Sequence, residues 1–301
     1  MDFGLNLPSY GSVASPATIV RFAEEAERIG LGAVWTFERL LRVVEPVSYG
    51  GFAPPAPLPK AYATVYDPLE TLSYLAARTS GIRLGTSVIP APLHSPVVLA
   101  RRLATLDVLS GGRLVVGLGQ GWMRQEFAAA GVPPERRGAR FAEHVAAMRA
   151  VWGPDPVRFD GEFYEIAESQ IGPKPVWPGG PPLIAGAVAP AAVARAARLG
   201  LGLNPVVMSW EQLDETVAGF RRAAEQAGRD PASLPVVVRV NGSVTAKPLE
   251  ERAPLTGSVD QVLEDLPRVR SLGAAHVLWA MRTHPDAQLA VMEELLARAP
   301  S

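Results

Sequence analysis

Cysteine is absent from this chain of 301 residues, and histidine occurs only four times. Without cysteine the protein has neither disulfides nor thiolate metal ligands. The histidines also lack the H-x-H or H-E-x-x-H spacing of a metal site, since they lie at His94, His144, His276 and His284. We therefore expect no metal.

The chain also lacks an excess of charge of either sign, because its formal net charge is −1. Such a chain presents no field that would draw it to nucleic acid or to an anionic membrane surface. No apolar run approaches the roughly 20 residues of a membrane-spanning helix, and no basic and then apolar leader precedes the first predicted strand. We expect a cytoplasmic protein that binds neither nucleic acid nor membrane.

Short apolar stretches alternate with amphipathic helical stretches along the chain. Apolar residues make up 48% of the sequence, which is enough for a large core. This alternation predicts a parallel sheet flanked by helices, and the length suits one barrel. We predict an α/β fold, a single (β/α)8 TIM-barrel domain over residues 1–301, with strands near 3–7, 33–37, 82–89, 114–118, 181–186, 201–207, 236–240 and 275–279.

Two segments interrupt the alternation. Residues 42–66, after the second strand, contain five prolines and a Gly-Gly pair, too many breakers for a helix or a central strand. A loop this long is either disordered or a functional lid. The aromatic residues Tyr49, Phe52, Tyr62 and Tyr66 favour a lid, with Tyr62 and Tyr66 as candidate substrate contacts. The second interruption, 153–180, contains FDGEFYEI, whose Asp-Gly pair at 160–161 predicts a hairpin turn.

The fourth strand ends in the glycine-rich run GLGQGW, which contains Gly119 and Gly121. The third glycine of a dinucleotide-binding G-x-G-x-x-G motif would fall at Trp122, so the run is not that fingerprint. Two interpretations remain. Either the glycines permit tight packing of strand and helix, or they let a cofactor edge lie against the backbone while Trp122 lines the pocket.

The fifth strand leads through Gly186, Ala187 and Val188 into a helix. Unpaired backbone N–H groups and the positive end of a helix dipole together favour an anion at such a junction. Many barrel loops share this arrangement without binding a ligand. The junction is nevertheless our candidate for a phosphate cradle.

Several ordered motifs resemble the bacterial luciferase-like monooxygenase superfamily. They are VWTFERL, DPLETLSYLAARTSGIRLGTSV, SPVVLARRLATLDVLSGGRLVVGLGQGW, FDGEFYEI and PKPVWPGGPPLIAG, and the likeness extends from residue 3 to about residue 204. The chain is most similar to the branch that uses the deazaflavin coenzyme F420. The resemblance implies a (β/α)8 barrel with the cofactor ring at the carboxyl-terminal mouth.

The resemblance also assigns positions around that ring. It implies a cis non-prolyl peptide between Ser87 and Val88, forming a bulge that supports one face of the ring. It places the cofactor phosphate at the 186–188 junction. These residues, with Gly119, Gly121 and Trp122, are the predicted cofactor-binding set.

The second strand is followed by Glu38 and Arg39, where most luciferase-like proteins have an acid and then histidine. Arginine stays charged, so it cannot exchange a proton near neutral pH as histidine does. Arg39 could stabilise a reduced ring or orient an acidic substrate, and Glu38 could take a proton. Both are our predicted catalytic residues, and the alternative is a solvated ion pair at a strand end. His94 is a further candidate substrate contact near the mouth.

The sequence therefore predicts an F420-dependent oxidoreductase that transfers a hydride between the deazaflavin C5 and a small organic substrate. One alternative is a luciferase-like monooxygenase that uses FMN and oxygen. An alternative of another class is a redox-silent barrel, either a lyase or a cofactor-binding protein. A homodimer is left open as its assembly.

Overall fold

In the computed structural model, which describes residues 1–48 and 54–299, eight parallel strands close into a barrel. Each strand pairs with its neighbours in chain order, and the last pairs with the first through Phe3 opposite Val277. The predicted (β/α)8 architecture is confirmed. The barrel strands are β1 (Asp2–Asn6), β2 (Ala33–Thr36), β3 (Arg83–Thr86), β4 (Leu114–Gly119), β5 (Leu183–Ala185), β6 (Gly202–Leu203), β7 (Val236–Val240) and β8 (Ala274–Trp279).

Helices surround the barrel, and polar or proline residues mark where they begin. Ser15, Asp67, Ser209 and Ser258 each accept a hydrogen bond from a backbone N–H in the first turn of the helix that follows. Among the described residues, no helix has the length and apolar character needed to cross a membrane. The helices are α1 (Pro16–Arg28), α2 (Pro68–Ala76), α3 (Pro96–Leu109), α4 (Arg124–Ala129), α5 (Arg137–Trp152), α6 (Pro190–Arg198), α7 (Trp210–Gln226), α8 (Val259–Ser271) and α9 (Pro285–Arg298).

The core has two layers, as expected for a barrel whose strands are covered by helices. The larger layer lies between the strands and the helices and contains side chains such as Phe22, Leu72 and Phe220. The smaller layer fills the barrel interior around Trp35, whose indole N–H donates to His276 Nε2 over 3.0 Å. The interior of the barrel is therefore a packed core, which leaves its ends as the places for a ligand.

Two predicted strands are shorter and more irregular than their apolar runs suggested. The run 82–89 forms β3, then Ser87 and Val88 interrupt the strand, and Ile89–Pro90 resumes pairing with β4. The run 201–207 likewise divides at residues 204–205 into β6 and a short strand, Val206–Val207. Both interruptions lie at the same end of the barrel, where they shape the site. Each apolar run is continuous in the sequence and so gave no sign of its bend.

The two interrupting segments differ in how much regular structure they form. The predicted hairpin is confirmed as Val157–Asp160 paired antiparallel with Glu165–Ser169, although its turn spans 161–164 and not 160–161. In the segment 42–66, Lys60–Ala63 forms a short 3-10 turn and Leu58 is buried. The predicted lid residues Tyr49 and Phe52 lie outside the described residues. Short elements also occur at Ala91–Leu93, Pro231–Ser233, Val244–Thr245 and Gly257–Ser258.

Candidate active site

A cavity of about 360 Å³ opens at the carboxyl ends of the strands. This is the end at which ligands bind in (β/α)8 barrels. The residues predicted from the sequence converge there from four successive strand exits. The described lining includes Glu38, Arg39, Tyr62, Ser87, Val88, Gly119, Gly121, Trp122, Gly186, Ala187 and Val188.

The floor of the cavity is the bulge after β3, where the Ser87–Val88 peptide bond is cis, as the resemblance implied. Ser87 Oγ donates to Asn204 Oδ1 over 2.6 Å, and Asn204 Nδ2 donates to the Val237 carbonyl over 2.7 Å. Arg239 Nη1 donates to both the carbonyl and the hydroxyl of Ser87. Side chains from β7 and the β6 exit therefore fix the bulge from across the barrel.

Glycines around the bulge make room for Val88. A Cβ atom added to Gly119 would lie 2.7 Å from Val88 Cγ2, and one added to Gly186 would lie 2.9 Å from Val88 Cγ1. The side chain that Gly119 and Gly186 accommodate is therefore that of Val88, and the approach of a cofactor edge to Gly119 and Gly121 stays a prediction. Gly119, Gly186 and Val88 all line the cavity.

The junction between β5 and α6 has the features expected of an anion cradle. The backbone N–H groups of Ala187 and Val188 donate to no acceptor among the described residues. Ala189 caps α6 without a side-chain hydrogen bond, and the first turn of the helix carries no acidic residue. Unpaired donors and the positive end of the helix dipole thus face the cavity rim.

Glu38 does not pair with Arg39. Its two carboxylate oxygens each lie 2.9 Å from His94 Nε2, with the Glu38 side chain 9% exposed and that of His94 20% exposed. The backbone N–H of Glu38 donates to the Val88 carbonyl over 3.2 Å, which ties this acid to the bulge. An acid bonded to an imidazole at the wall of a cavity can hold and exchange a proton.

Arg39 pairs with Glu126 of α4, a partner that the sequence did not indicate. Arg39 Nη1 lies 2.9 Å from Glu126 Oε2, and Glu126 Oε1 accepts from the Leu40 N–H. The guanidinium also lies 5.2 Å from the Trp122 ring centroid and 5.6 Å from that of Tyr62. Burial raises the pKa of the Glu126 carboxyl, while the charge of Arg39 opposes that rise. An ion pair is thus present at this strand end, but it is buried and not solvated as the alternative supposed.

Aromatic side chains form one wall of the cavity. Tyr10 lies edge to face with Phe37 at 5.1 Å between ring centroids, and Tyr62 lies 5.7 Å from Phe37. Of the predicted substrate contacts that the structure describes, Tyr62 belongs to this wall, whereas Tyr66 and His94 are outside the lining. His94 reaches the cavity only through Glu38.

Several lining residues were missed by sequence reasoning. Asn6, Asn204, Arg239, Asn241 and Arg282 all follow or end barrel strands, so a systematic look at the polar residues at every strand exit could have found them. Glu126 and Arg137 carry no such signal, because each resembles a charged residue on a surface helix. Within residues 1–48 and 54–299 no acidic and histidine side chains cluster as metal ligands.

A family model described as luciferase-like monooxygenase matches residues 1–298. An uncharacterised protein of Mycobacterium tuberculosis is 33% identical over 99% of this chain and 98% of its own length. An F420-dependent glucose-6-phosphate dehydrogenase of Kineococcus radiotolerans is 30% identical over 78% of this chain and 66% of its own. An FMNH2-dependent dimethylsulfone monooxygenase of Pseudomonas putida is 31% identical over 61% of this chain and 50% of its own.

Solved structures agree with the fold. The monooxygenase RslO1 from Streptomyces bottropensis superposes with a TM-score of 0.79 at 25% identity over 99% of both chains. An F420-dependent secondary alcohol dehydrogenase, solved with an F420–acetone adduct, gives a TM-score of 0.82 at 17% identity, covering 100% of this chain and 99% of that one. At that identity the second likeness speaks for the fold alone.

Proposed function

Because the chain belongs to the luciferase-like monooxygenase family, we propose that it is an F420-dependent oxidoreductase acting on a small organic substrate. When bound, the deazaflavin supplies a carbon, C5, that accepts or donates a hydride, and the protein contributes orientation and local charge. The observation that carries the proposal is the cavity itself, which combines an apolar floor at Val88 with unpaired N–H donors at Ala187 and Val188.

The residues present suit such a cofactor at both of its ends. Val88 offers an apolar side chain against which the face of a planar ring would pack, and the Asn204–Ser87–Arg239 hydrogen bonds hold the adjoining Ser87 in place. The rim at Ala187 and Val188 offers donors to a phosphate on the same side as α6. A ring and a phosphate are the two recognition elements that F420 and FMN share.

The proton of the reaction is assigned to Glu38 and His94. Hydride transfer to or from the carbon of an alcohol or carbonyl group requires that a proton leave or join the neighbouring oxygen. Glu38 is a carboxylate that lines the cavity and is hydrogen-bonded to the imidazole of His94. Arg39 forms an ion pair with Glu126 and lies over the ring of Trp122. Because arginine stays protonated, Arg39 positions these side chains of the cavity wall and does not exchange a proton.

The second candidate is an FMN-dependent monooxygenase. The identity of 31% to the dimethylsulfone monooxygenase favours it, although the aligned part is half of that protein. The same cavity and rim would serve FMN, so the two functions differ in which ring binds more tightly.

Equilibrium titration of the purified protein with F420 and with FMN, followed by fluorescence, separates the two functions. We expect F420 to bind at least about tenfold more tightly than FMN, and the phosphate-free deazaflavin to bind more weakly than F420 by roughly the same factor, since a charge-assisted hydrogen bond contributes about 1.5–3 kcal/mol. Tighter binding of FMN would establish the monooxygenase alternative, and binding of neither would contradict both.

A further inference from the structure

Positive side chains outnumber negative ones around the cavity. Among the described residues that line it, the charged ones are Glu38, Arg39, Glu126, Arg137, Arg239 and Arg282. Glu126 is neutralised by Arg39, and Glu38 is bonded to His94. Both carboxylates of the described lining are thus already engaged, one by Arg39 and one by His94.

Two of these arginines lie together at one side of the mouth. Arg239 is on β7, and Arg282 follows β8, the neighbouring strand in the barrel. Both act on the phenol of Tyr10, which follows β1: their charges lower its pKa, against the rise that burial causes. Arg282 is exposed and forms no ion pair with any residue of 1–48 or 54–299. Arg282 is therefore a cation at the mouth that no carboxylate of the described residues pairs with.

The corner is separate from the proposed phosphate cradle. Ala187 and Val188 follow β5, and β8 lies three strands away from β5 around the closed barrel. The aromatic wall of Tyr10, Phe37 and Tyr62 borders the Arg282 corner, because Tyr10 belongs to both. A ligand held at the cradle would leave this corner, with its aromatic wall, for a second molecule.

We propose that Arg282, supported by Arg239, binds an oxyanion of the substrate, a carboxylate or a phosphate, while Tyr10, Phe37 and Tyr62 pack against the apolar body of the same molecule. The proposal deepens the proposed function and rests on it, because it names the substrate class of that cavity. Guanidinium groups suit both oxyanions, since their planar fork of donors matches paired oxygens. Arg239 also braces Ser87, so Arg282 is the residue whose removal tests the idea cleanly.

Benzoate, phenyl phosphate and the neutral isostere benzamide serve as probes, with binding measured by calorimetry on the full chain at pH 7.5. We expect at least one anion to bind roughly tenfold more tightly than benzamide in the wild type. Arg282→Gln should remove that preference, Arg282→Lys should keep part of it, and Arg222→Gln, an exposed arginine on α7, should keep all of it. Equal binding of all three probes to the wild type, or an unchanged preference in Arg282→Gln, would overturn the proposal.

The same preparations are titrated with F420, because the anion held at this corner could also belong to a cofactor tail. We expect Arg282→Gln to bind F420 as the wild type does and benzoate to bind alongside saturating F420. If Arg282→Gln weakens F420 and the anion equally, the corner holds the cofactor and the substrate assignment is wrong. If F420 fails to bind while the Arg282-dependent anion preference remains, the cofactor assignment fails and the anion site stands.

Discussion

Removing the Arg39 side chain should lower the stability of the folded protein, whatever its effect on catalysis. The Arg39 side chain is 10% exposed and that of Glu126 is 4% exposed, and their charged atoms lie 2.9 Å apart. Breaking a buried ion pair from one side leaves an uncompensated charge, which typically costs 3–5 kcal/mol. We expect Arg39→Met to lower the free energy of unfolding by about 3 kcal/mol at pH 7.5, measured by urea denaturation.

The loss should depend on pH in a defined direction. Burial already raises the pKa of Glu126 above its value in the unfolded chain, so the ionised carboxylate weakens the folded state as the pH rises through that raised pKa. Arg39 limits the rise, and without it the pKa climbs further. The deficit of Arg39→Met relative to the wild type should therefore be larger at pH 8 than at pH 5, because lowering the pH toward the raised pKa of Glu126 protonates the carboxylate and removes the uncompensated charge.

A double-mutant cycle completes the test. Glu126→Gln keeps an acceptor for the Leu40 N–H, so the double variant Arg39→Met with Glu126→Gln should be less destabilised than the sum of the single variants by about 2 kcal/mol. The exposed Arg222→Met provides the control for loss of an arginine as such. Additive single effects, or a deficit that is the same at pH 5 and pH 8, would refute the assignment of a coupled buried pair.

Two further predictions concern packing and titration. Gly186→Ala should destabilise the protein by about 1–3 kcal/mol because its Cβ would lie 2.9 Å from Val88, and adding Val88→Ala should recover part of this loss. Gly219→Ala in α7 is the control and should not destabilise the protein, since the nearest neighbour of its Cβ would lie at 3.9 Å. The midpoints of urea denaturation measure both effects, and equal losses at the two glycines would contradict the packing argument. Burial lowers the pKa of His276 to about 3 and keeps the imidazole neutral in the folded protein, whereas the unfolded chain takes up a proton there. As the pH falls from 6 to 4, the free energy of unfolding of the wild type should therefore decrease by about 1.4 kcal/mol per pH unit more than that of His276→Gln. Parallel curves of stability against pH would disprove that difference.

The parts of the site that the sequence revealed are those defined by adjacent residues. Glu38 with Arg39, Ser87 with Val88, and Gly186 with its two successors each follow directly from a strand, so a run of apolar residues and its exit located them. Barrel closure then brings the exits to one end, because parallel strands share a direction. The predicted residues converge for that reason, without any knowledge of side-chain contacts.

The parts that the sequence concealed are contacts between distant residues. Arg239 and Ser87 are 152 positions apart, and Arg39 and Glu126 are 87 apart, so neither pairing leaves a local pattern. Glu126 lies in RQEFAA, where a glutamate on a short helix is ordinarily solvated. Only the packing of α4 against the β2 exit makes it buried. The glycines show a related limit, since the sequence indicates that space is needed but not that Val88 fills it.

The contacts of Glu38 and Arg39 show which partner each of these neighbouring residues has. An arginine at position 39 is already bonded to Glu126, so it cannot serve the acid beside it. His94, from the segment between β3 and α3, instead places its Nε2 against both oxygens of Glu38. The imidazole beside this acid is therefore supplied from a different loop and not by the residue that follows it. In the proposed function, Glu38 and His94 handle the proton at the mouth, while Arg39, paired with Glu126, contributes a fixed cation to the wall.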